Sequence, residues 1–437
     1  MKRGSHRSHA TGRVVRPVRR PQSFPISHTP PLNSPPHSTP LHQPRARTAR
    51  NMPMPAIMDD LLPEFFIRLP TPEDLARVTA TCSSFRQAAT DRACTREFRR
   101  LHAPPLLGIV DGAGFHPALP PHPSAPAGSA LANAPGKDFS FSFLPAPNRW
   151  VMKDASDGRV LLDRAPEGVK KAEFTEVVVC DPLHQRYLLL PPVPQDQLVA
   201  NPVCMAYGPF LAPPSDEEAE EAPDTSFRVM WTARCEANMV AFVFSSSSGQ
   251  WRAVPSQSWS DLFAVDIELS WGPCLVGRHY AHGCFYWETS CRGMWLVLHA
   301  RTMDFSLVDI PCTAGGAGLD TAIVEAGEGR LGMFALAFVG GVYYLHYTIR
   351  EADNQWKLKQ TVALRYGYWY CILGATDAYL LLLKHADNRS LEPADCECLS
   401  LDIKTMRLER VCSLKQWGVD AQIYTNFPPS LLSAPTI

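Results

Sequence analysis

Residues 327–332 of this 437-residue sequence match the glycine-rich pattern G-x-G-x-x-G, which can bind the phosphates of a dinucleotide. That chemistry requires a strand before the glycines and a full helix after them, so that the phosphates meet the helix N-terminus. Here the apolar run that follows reaches Gly340 after only seven residues. The spacing therefore predicts a turn between two β-strands, and no cofactor is expected.

A second group of residues has the side chains of a metal site. His279 and His282 are three residues apart and Cys284 follows them, but the stretch precedes a β run and has no carboxylate at ligand spacing. We therefore interpret these residues as ordinary turn and strand positions. Cys396 and Cys398 would share one face of a strand, which predicts thiols in a core. The sequence also has no G-x-S-x-G, P-loop or H-E-x-x-H motif, and we predict no catalytic or metal site.

Composition narrows the class of protein further. The 13 cysteines are irregularly spaced and include no C-x-x-C pair, which is typical of reduced thiols in a cytoplasmic or nuclear protein. No apolar run approaches the roughly 18 residues of a membrane-spanning helix, so no membrane partner is expected. Residues 1–55 contain ten Lys or Arg and no Asp or Glu, which leaves the rest of the chain at about −11. An acidic folded region argues against nucleic-acid binding.

The same residues 1–55 are rich in Pro, Arg and Ser and poor in large apolar side chains. Such a segment buries too little surface to offset its conformational entropy, which predicts a disordered basic tail. A transit peptide, or an extension upstream of a true start at Met52 or Met54, are the alternatives.

Residues 56–102 have the pattern of helices. Thr71 and Pro72 form a helix start, with Asp74 placed to complete the cap. The apolar residues that follow are spaced by three and four, which places them on one helix face: Leu75, Val78, Cys82, Phe85 and Ala89. A shorter apolar helix is predicted before Pro70 and a third around Phe98.

From about residue 150 the pattern changes to short β runs separated by Gly, Asp-Gly and Ser clusters. A turn followed by a β run recurs at 157–162, 282–287, 340–345 and 377–382. A closing strand recurs at 180–192, 245–255, 300–311, 352–364 and 401–412, which is the spacing of four-stranded blades. We therefore predict a kelch-like β-propeller over residues 150–420, with a β-sandwich as the alternative.

Two segments flank this region. Residues 103–149 are predicted to be a Pro-rich linker with strand pieces at 106–110 and 139–144, and residues 421–437 a C-terminal tail. Both strand pieces could join a C-terminal strand in a composite blade. The fold class is thus α+β, a small N-terminal helical module followed by a large all-β domain. An acidic insertion at 215–224 is predicted to be a solvated loop.

The helical segment resembles an F-box. Residues 57–70 (IMDDLLPEFFIRLP) align without gaps with the family pattern L-P-x-D-L-L-x-E-I-L-x-R-L-P, and residues 81–86 (TCSSFR) match its later helix. Met58, Pro63 and Phe85 depart from the pattern. Together with the stretches at 139–145 (FSFSFLP) and 157–163 (DGRVLLD), the chain resembles a plant F-box family, especially of grasses, with an F-box-associated propeller-like domain.

The resemblance implies a substrate-recognition adaptor of an SCF-type cullin ubiquitin ligase, without catalysis of its own. The F-box would bind a Skp-type adaptor, and through it a cullin, while the β domain would bind an unknown protein target. The implied Skp contacts are Leu61, Leu62, Phe65, Leu69, Pro70, Leu75, Val78, Cys82 and Phe85. Some of these must instead form the core of the module, and the sequence does not separate the two sets. A structural interaction protein with a degenerate F-box and a propeller-type enzyme remain the alternatives.

Overall fold

The computed structural model describes residues 61–70, 72–89, 91–102, 104–165, 174–194, 203–213, 226–263, 273–291, 293–311, 320–386, 396–415 and 421–425. The chain divides into two units, Met1–Met54 and Pro55–Ile437. The first unit, the acidic insertion at 215–224 and the Gly-rich stretch at 315–318 lie outside the described residues. The expectations made for them stay predictions.

Four helices open the described chain: α1 (Leu62–Phe66), α2 (Pro72–Thr79), α3 (Ser83–Ala89) and α4 (Arg92–Leu101). Pro63 lies in the first turn of α1, where its missing amide removes no intrahelical hydrogen bond. The carboxylate of Asp91 caps α4 by accepting from the amides of Ala93 and Cys94. These helices enclose a small core of their own, formed by Leu62, Phe66, Leu75, Ala89, Cys94 and Phe98.

The apolar face predicted from Leu75 to Ala89 is divided between two helices. The Thr81 hydroxyl donates to the Val78 carbonyl, 2.7 Å away, and the Cys82 sulfur accepts from the Phe85 amide at 3.4 Å. A hydroxyl that bonds locally to the backbone competes with helix continuation. The chain therefore turns at residues 80–82, and Cys82 comes to precede α3 instead of lying within a longer helix.

The rest of the described chain is mostly β-structure. The first twelve strands are β1 (Leu106–Asp111), β2 (Gly114–Pro117), β3 (Trp150–Ser156), β4 (Arg159–Arg164), β5 (Val177–Asp181), β6 (Arg186–Leu189), β7 (Val203–Ala206), β8 (Phe210–Ala212), β9 (Arg228–Cys235), β10 (Asn238–Ser245), β11 (Gln250–Ser258) and β12 (Leu275–Ala281). The next twelve are β13 (Cys284–Thr289), β14 (Met294–His299), β15 (Phe305–Asp309), β16 (Thr321–Glu325), β17 (Leu331–Val339), β18 (Val342–Arg350), β19 (Trp356–Ala363), β20 (Tyr368–Ala375), β21 (Tyr379–Ala386), β22 (Cys396–Asp402), β23 (Leu408–Leu414) and β24 (Gln422–Thr425). Helices α5 (Ala125–Ala132) and α6 (Trp259–Phe263) and a 3-10 turn (Pro147–Arg149) complete the elements of the described residues.

These strands form six antiparallel sheets, the blades of a β-propeller. Blade 1 is β3–β6, blade 2 is β7–β11, blade 3 is β12–β15, blade 4 is β16–β19 and blade 5 is β20–β23. Blade 6 has the order β2-β1-β24, so the last strand of the chain pairs with the first. In blade 2, β7 and β8 both pair with β9 and together take the innermost position.

The apolar clusters between the blades show that the six sheets form a closed ring. Six apolar clusters lie between blades 1 and 2, 2 and 3, 3 and 4, 4 and 5, 5 and 6, and 6 and 1. Side chains alternate across each strand, as pleating requires: Leu161 packs towards blade 2, while Val160 and Leu162 pack towards blade 6. Both faces of every blade are thereby covered, which confirms the propeller and rejects the sandwich.

Blade 6 closes the ring with strands from both ends of the β region. β1 comes from the segment predicted as a linker and β24 from the segment predicted as a tail, so the strand at 106–110 does join a composite blade. Phe139 and Phe141 are not in a strand: Phe139 lies in a turn and Phe141 in irregular backbone, with both rings in the core between blades 6 and 1. Alternating Phe and Ser imitated a strand, but Asp138 bonds the amides of Ser140 and Ser142 and holds this stretch in a turn.

One of the four turns in the predicted repeat joins a different pair of strands from the other three. The turns at 157–158, 282–283 and 377–378 each join the first two strands of a blade, whereas Gly340-Gly341 joins the second and third strands of blade 4. Each of the five closing segments covers all or most of the outermost strand of its blade: β6, β15 and β19 are covered completely, whereas β11 and β23 extend two or three residues further.

Candidate functional sites

The nine residues implied as Skp contacts separate into three sets by exposure. Leu62 and Leu75 are buried in the module core. Leu69, Val78 and Phe85 are half-buried and pack against that core. Exposed positions are held by Leu61, Phe65, Pro70 and Cys82.

The buried set holds the helices together. Leu62 lies in α1 and Leu75 in α2, and both contact the same cluster as Phe98 of α4. The rings of Phe66 and Phe85 pack in a T-shaped arrangement with 5.6 Å between centroids. His102 extends this contact network, because its Nε2 lies 2.8 Å from the carbonyl oxygen of Ile67. Leu62 and Leu75 therefore belong to the interior of the module in this structure.

The exposed set is apolar and adjacent. Leu61 and Phe65 are 45% and 64% exposed, and the Phe65 amide bonds back to the Leu61 carbonyl across the first turn of α1. Residues four apart lie one above the other on a helix. Leu61 and Phe65 thus form an apolar row that neither the module core nor the β domain covers.

Near the propeller axis, a charged pair joins two blades that are not neighbours in the ring. The Asp154 carboxylate of β3 lies 2.8 Å from the Arg278 guanidinium of β12 and also accepts from the Leu211 amide of β8. The guanidinium lies 4.6 Å from the centre of the Phe210 ring. Burial raises the pKa of Asp154, and the neighbouring Arg278 opposes that shift.

Carboxylates gather at one end of the ring, in turns between first and second strands. Asp157 follows β3, Glu325 ends β16 and Asp377 follows β20. Desolvation raises the pKa of Asp377, and the charges of Glu325 and Asp157 raise it further. Tyr280 is close to Glu325 and Asp377, and burial raises the pKa of Tyr280 to about 12. Convergent acids of this kind are a feature that the propeller-enzyme alternative requires.

The residues singled out as possible metal ligands are not brought together. The His279 ring packs 5.6 Å from that of Trp295. His282 lies in the turn between β12 and β13 and contacts the Arg330 carbonyl, while the Cys284 sulfur lies 3.4 Å from His299. Within the described ranges, no group of three or more His, Cys, Asp or Glu side chains could hold a metal ion.

The remaining motifs also take structural positions. Residues 327–332 span the turn between β16 and the start of β17, as predicted, with positive φ at Gly327, Glu328 and Gly329. Cys396 and Cys398 are buried on one face of β22, in the core between blades 5 and 6. No helix in the described part of the chain is long and apolar enough to span a membrane.

Sequence reasoning did not find Asp154, Arg278 or the acids at the end of the ring. Asp154 and Arg278 lie 124 positions apart in the sequence, and no local motif connects them. Only the ring closure that places β3 near β12 brings them together. The positions of Asp157 and Asp377 after first strands were a usable signal, because equivalent turns of a propeller meet at one end of the ring.

Comparisons with known proteins concern the fold. No family model matches the sequence, and no curated protein matches it. Similar solved structures include TolB from Acinetobacter baumannii, at 12% identity over 60% of this chain and 56% of that chain, with a TM-score of 0.27. An exo-β-1,3-galactanase from Clostridium thermocellum has 10% identity over 62% of this chain and 63% of its own, with a TM-score of 0.34.

An α-L-arabinofuranosidase from Clostridium thermocellum has 10% identity over 61% of this chain and 96% of its own, with a TM-score of 0.35. The chain thus spans less than two thirds of TolB and of the galactanase. These likenesses are too distant to carry any inference about activity.

Proposed function

We propose that this protein is a substrate-recognition adaptor of an SCF-type cullin ubiquitin ligase. The helical module acts as an F-box that docks a Skp-type adaptor, and the propeller binds the protein target. The observation that carries the proposal is the exposed apolar row of Leu61 and Phe65 on a module that has a separate core. It adds to the F-box-like sequence at 57–70.

The physical argument is one of uncovered apolar surface. Exposed Leu and Phe side chains contribute little to the stability of a small helical module. Moving such a side chain fully from water into an interface is favourable by about 1.5–3 kcal/mol. An amphipathic helix that offers residues four apart suits a groove on a partner. Half-buried Leu69, Val78 and Phe85 lie beside the module core, where a partner can cover the part that remains exposed.

The propeller supplies the second half of the function. Its cores between blades hold the fold, so turns and strand ends are free to differ and to carry recognition. Catalysis is not part of the proposed role, because ubiquitin transfer belongs to other subunits of such a ligase. The proposed location is the cytoplasm, the nucleus or both.

Affinity purification of the full chain and of a variant lacking residues 56–102 tests the proposal. The full chain should capture a Skp-type adaptor and a cullin, and the deletion should capture neither while still binding its target. Failure of the full chain to bind a Skp-type adaptor would leave the degenerate F-box alternative.

A further inference from the structure

A group of large apolar side chains lies exposed where blade 4 meets blade 5. Phe338 and Val339 at the end of β17 are each 62% exposed, Tyr366 before β20 is 73% exposed and Trp369 in β20 is 52% exposed. Scattered exposed apolar residues are normal, but adjoining ones mark interaction surfaces. We call Phe338, Val339, Tyr343, Tyr366 and Trp369 the aromatic ridge.

Contacts show that the aromatic ridge is one surface. The Tyr343 ring lies 4.8 Å from Phe338 and 6.3 Å from Trp369, measured between centroids. The Tyr366 ring packs against the turn that precedes Tyr343. A Cβ at Gly341, in that turn, would lie 3.2 Å from the Tyr366 ring. Aromatic side chains also dominate the energetics of interfaces between proteins.

A crevice of about 440 Å³ adjoins the aromatic ridge between the same two blades. Part of its apolar lining comes from side chains of the core between those blades, Leu364, Tyr370 and Leu399, and the rest from Ala363 and Leu408. Three cations also line it, Arg365, Lys384 and Arg410, together with Glu409. Tyr343 connects the ridge to the crevice, because its ring lies 5.7 Å from that of Tyr370.

Positive charge is in excess at this crevice. Lys384 Nζ lies 2.6 Å and Arg410 Nε 3.8 Å from the carboxylate of Glu397, so one acid serves both cations. Arg365 is exposed and its guanidinium lies 5.6 Å from the centre of the Tyr368 ring. The hydrogen bond from Lys384 lowers the pKa of Glu397, and the charges of Lys384, Arg410 and Arg365 lower it further. Glu409 is paired with Arg407 at 2.9 Å.

We propose that the aromatic ridge and the crevice together bind an acidic peptide segment of the target that carries a large apolar anchor. The excess cations select the negative charge, and the exposed rings with the apolar lining of the crevice receive the anchor. The volume of the crevice, about 440 Å³, lies in the range of pockets for small ligands, which suits a short peptide segment better than the face of a whole domain. This inference rests on the proposed target-binding role of the propeller and specifies where and what it binds.

The test is selection from a random twelve-residue peptide display library on the immobilised full-length protein. Enriched peptides should carry more Asp and Glu than the input library, together with a large apolar residue. Synthetic copies of them should bind about tenfold more weakly to Arg365→Glu and to Tyr366→Ala. Matched controls on other blades, Arg252→Glu and Tyr187→Ala, should bind like the wild type.

The proposal is overturned if no peptide is enriched, if enriched peptides have no acidic excess, or if Arg365→Glu and Arg252→Glu bind them equally. The Skp-type adaptor is absent from this experiment. A protein that binds acidic peptides but no Skp-type adaptor would therefore contradict the ligase function and leave this surface assignment standing.

Discussion

The carboxylate of Asp154 in blade 1 lies 2.8 Å from the guanidinium of Arg278 in blade 3, so this pair reaches past blade 2 at the inner strands of the ring. The same carboxylate accepts hydrogen bonds from the backbone amides of Leu211 in blade 2 and of Ala155. Three blades are thereby tied to one buried acid. Removing Arg278 would leave the charge of Asp154 with two amide hydrogen bonds but without its paired cation.

We expect Arg278→Met to lower the free energy of unfolding by about 3 kcal/mol, the cost of breaking a buried ion pair on one side. Asp154→Asn combined with Arg278→Met should cost less, because no uncompensated carboxylate remains. Urea unfolding at neutral pH measures both variants. Arg252→Met, an exposed change on β11, should stay within about 0.5 kcal/mol. A double variant no more stable than Arg278→Met would contradict this account of the pair.

His279 should make the protein sensitive to acid. Burial lowers the pKa of His279 to about 4, with a smaller effect from the charge of Arg278, whereas the pKa of an unfolded histidine is about 6.5. As pH falls from about 6.5 to about 4, His279 becomes protonated in the unfolded chain but stays neutral in the folded protein. The free energy of unfolding therefore falls across that window.

A His279→Gln variant should lose stability less steeply than the wild type between about pH 6.5 and about pH 4. Urea unfolding of both proteins at several values in that range measures the two slopes. Equal slopes would show that His279 does not contribute to acid sensitivity.

Tyr424 joins the last strand of the chain to blade 1. Its buried hydroxyl donates to the Gly158 carbonyl at 2.8 Å, and its ring packs against Phe115 and Phe139. Tyr424→Phe should cost about 1 kcal/mol for the lost hydrogen bond, and Tyr424→Ala about 4 kcal/mol for the cavity. Unfolding by urea distinguishes the two, and a Tyr424→Ala protein as stable as Tyr424→Phe would argue against closure through this ring.

Much of the fold was predictable because repetition leaves a local signal. The turn at 157–158 and the closing segment at 180–192 recur with blade spacing, and local pattern is enough to read them. The turn at Gly340-Gly341 was assigned to the wrong pair of strands, because a glycine pair suits any hairpin, whichever strands it joins. The aromatic-serine stretch around Phe139 and Phe141 was misread, since its alternation is that of a strand while Asp138 fixes a turn.

The division of the nine candidate residues was not predictable. Leu61 and Leu62 are neighbours of the same type, and only the packing of α1 against α3 and α4 buries one and exposes the other. For the same reason the exposure of Trp369 was not predictable: Tyr370, one position on, belongs to the core between blades 4 and 5.

We propose that the exposed row of Leu61 and Phe65 on the helical module docks a Skp-type adaptor. Leu61→Asp with Phe65→Asp should abolish binding of a purified Skp-type adaptor in isothermal titration calorimetry. Circular dichroism and unfolding of the same variant should match the wild type, because neither side chain is in a core. Unchanged adaptor affinity in a folded Leu61→Asp, Phe65→Asp protein would contradict the claim.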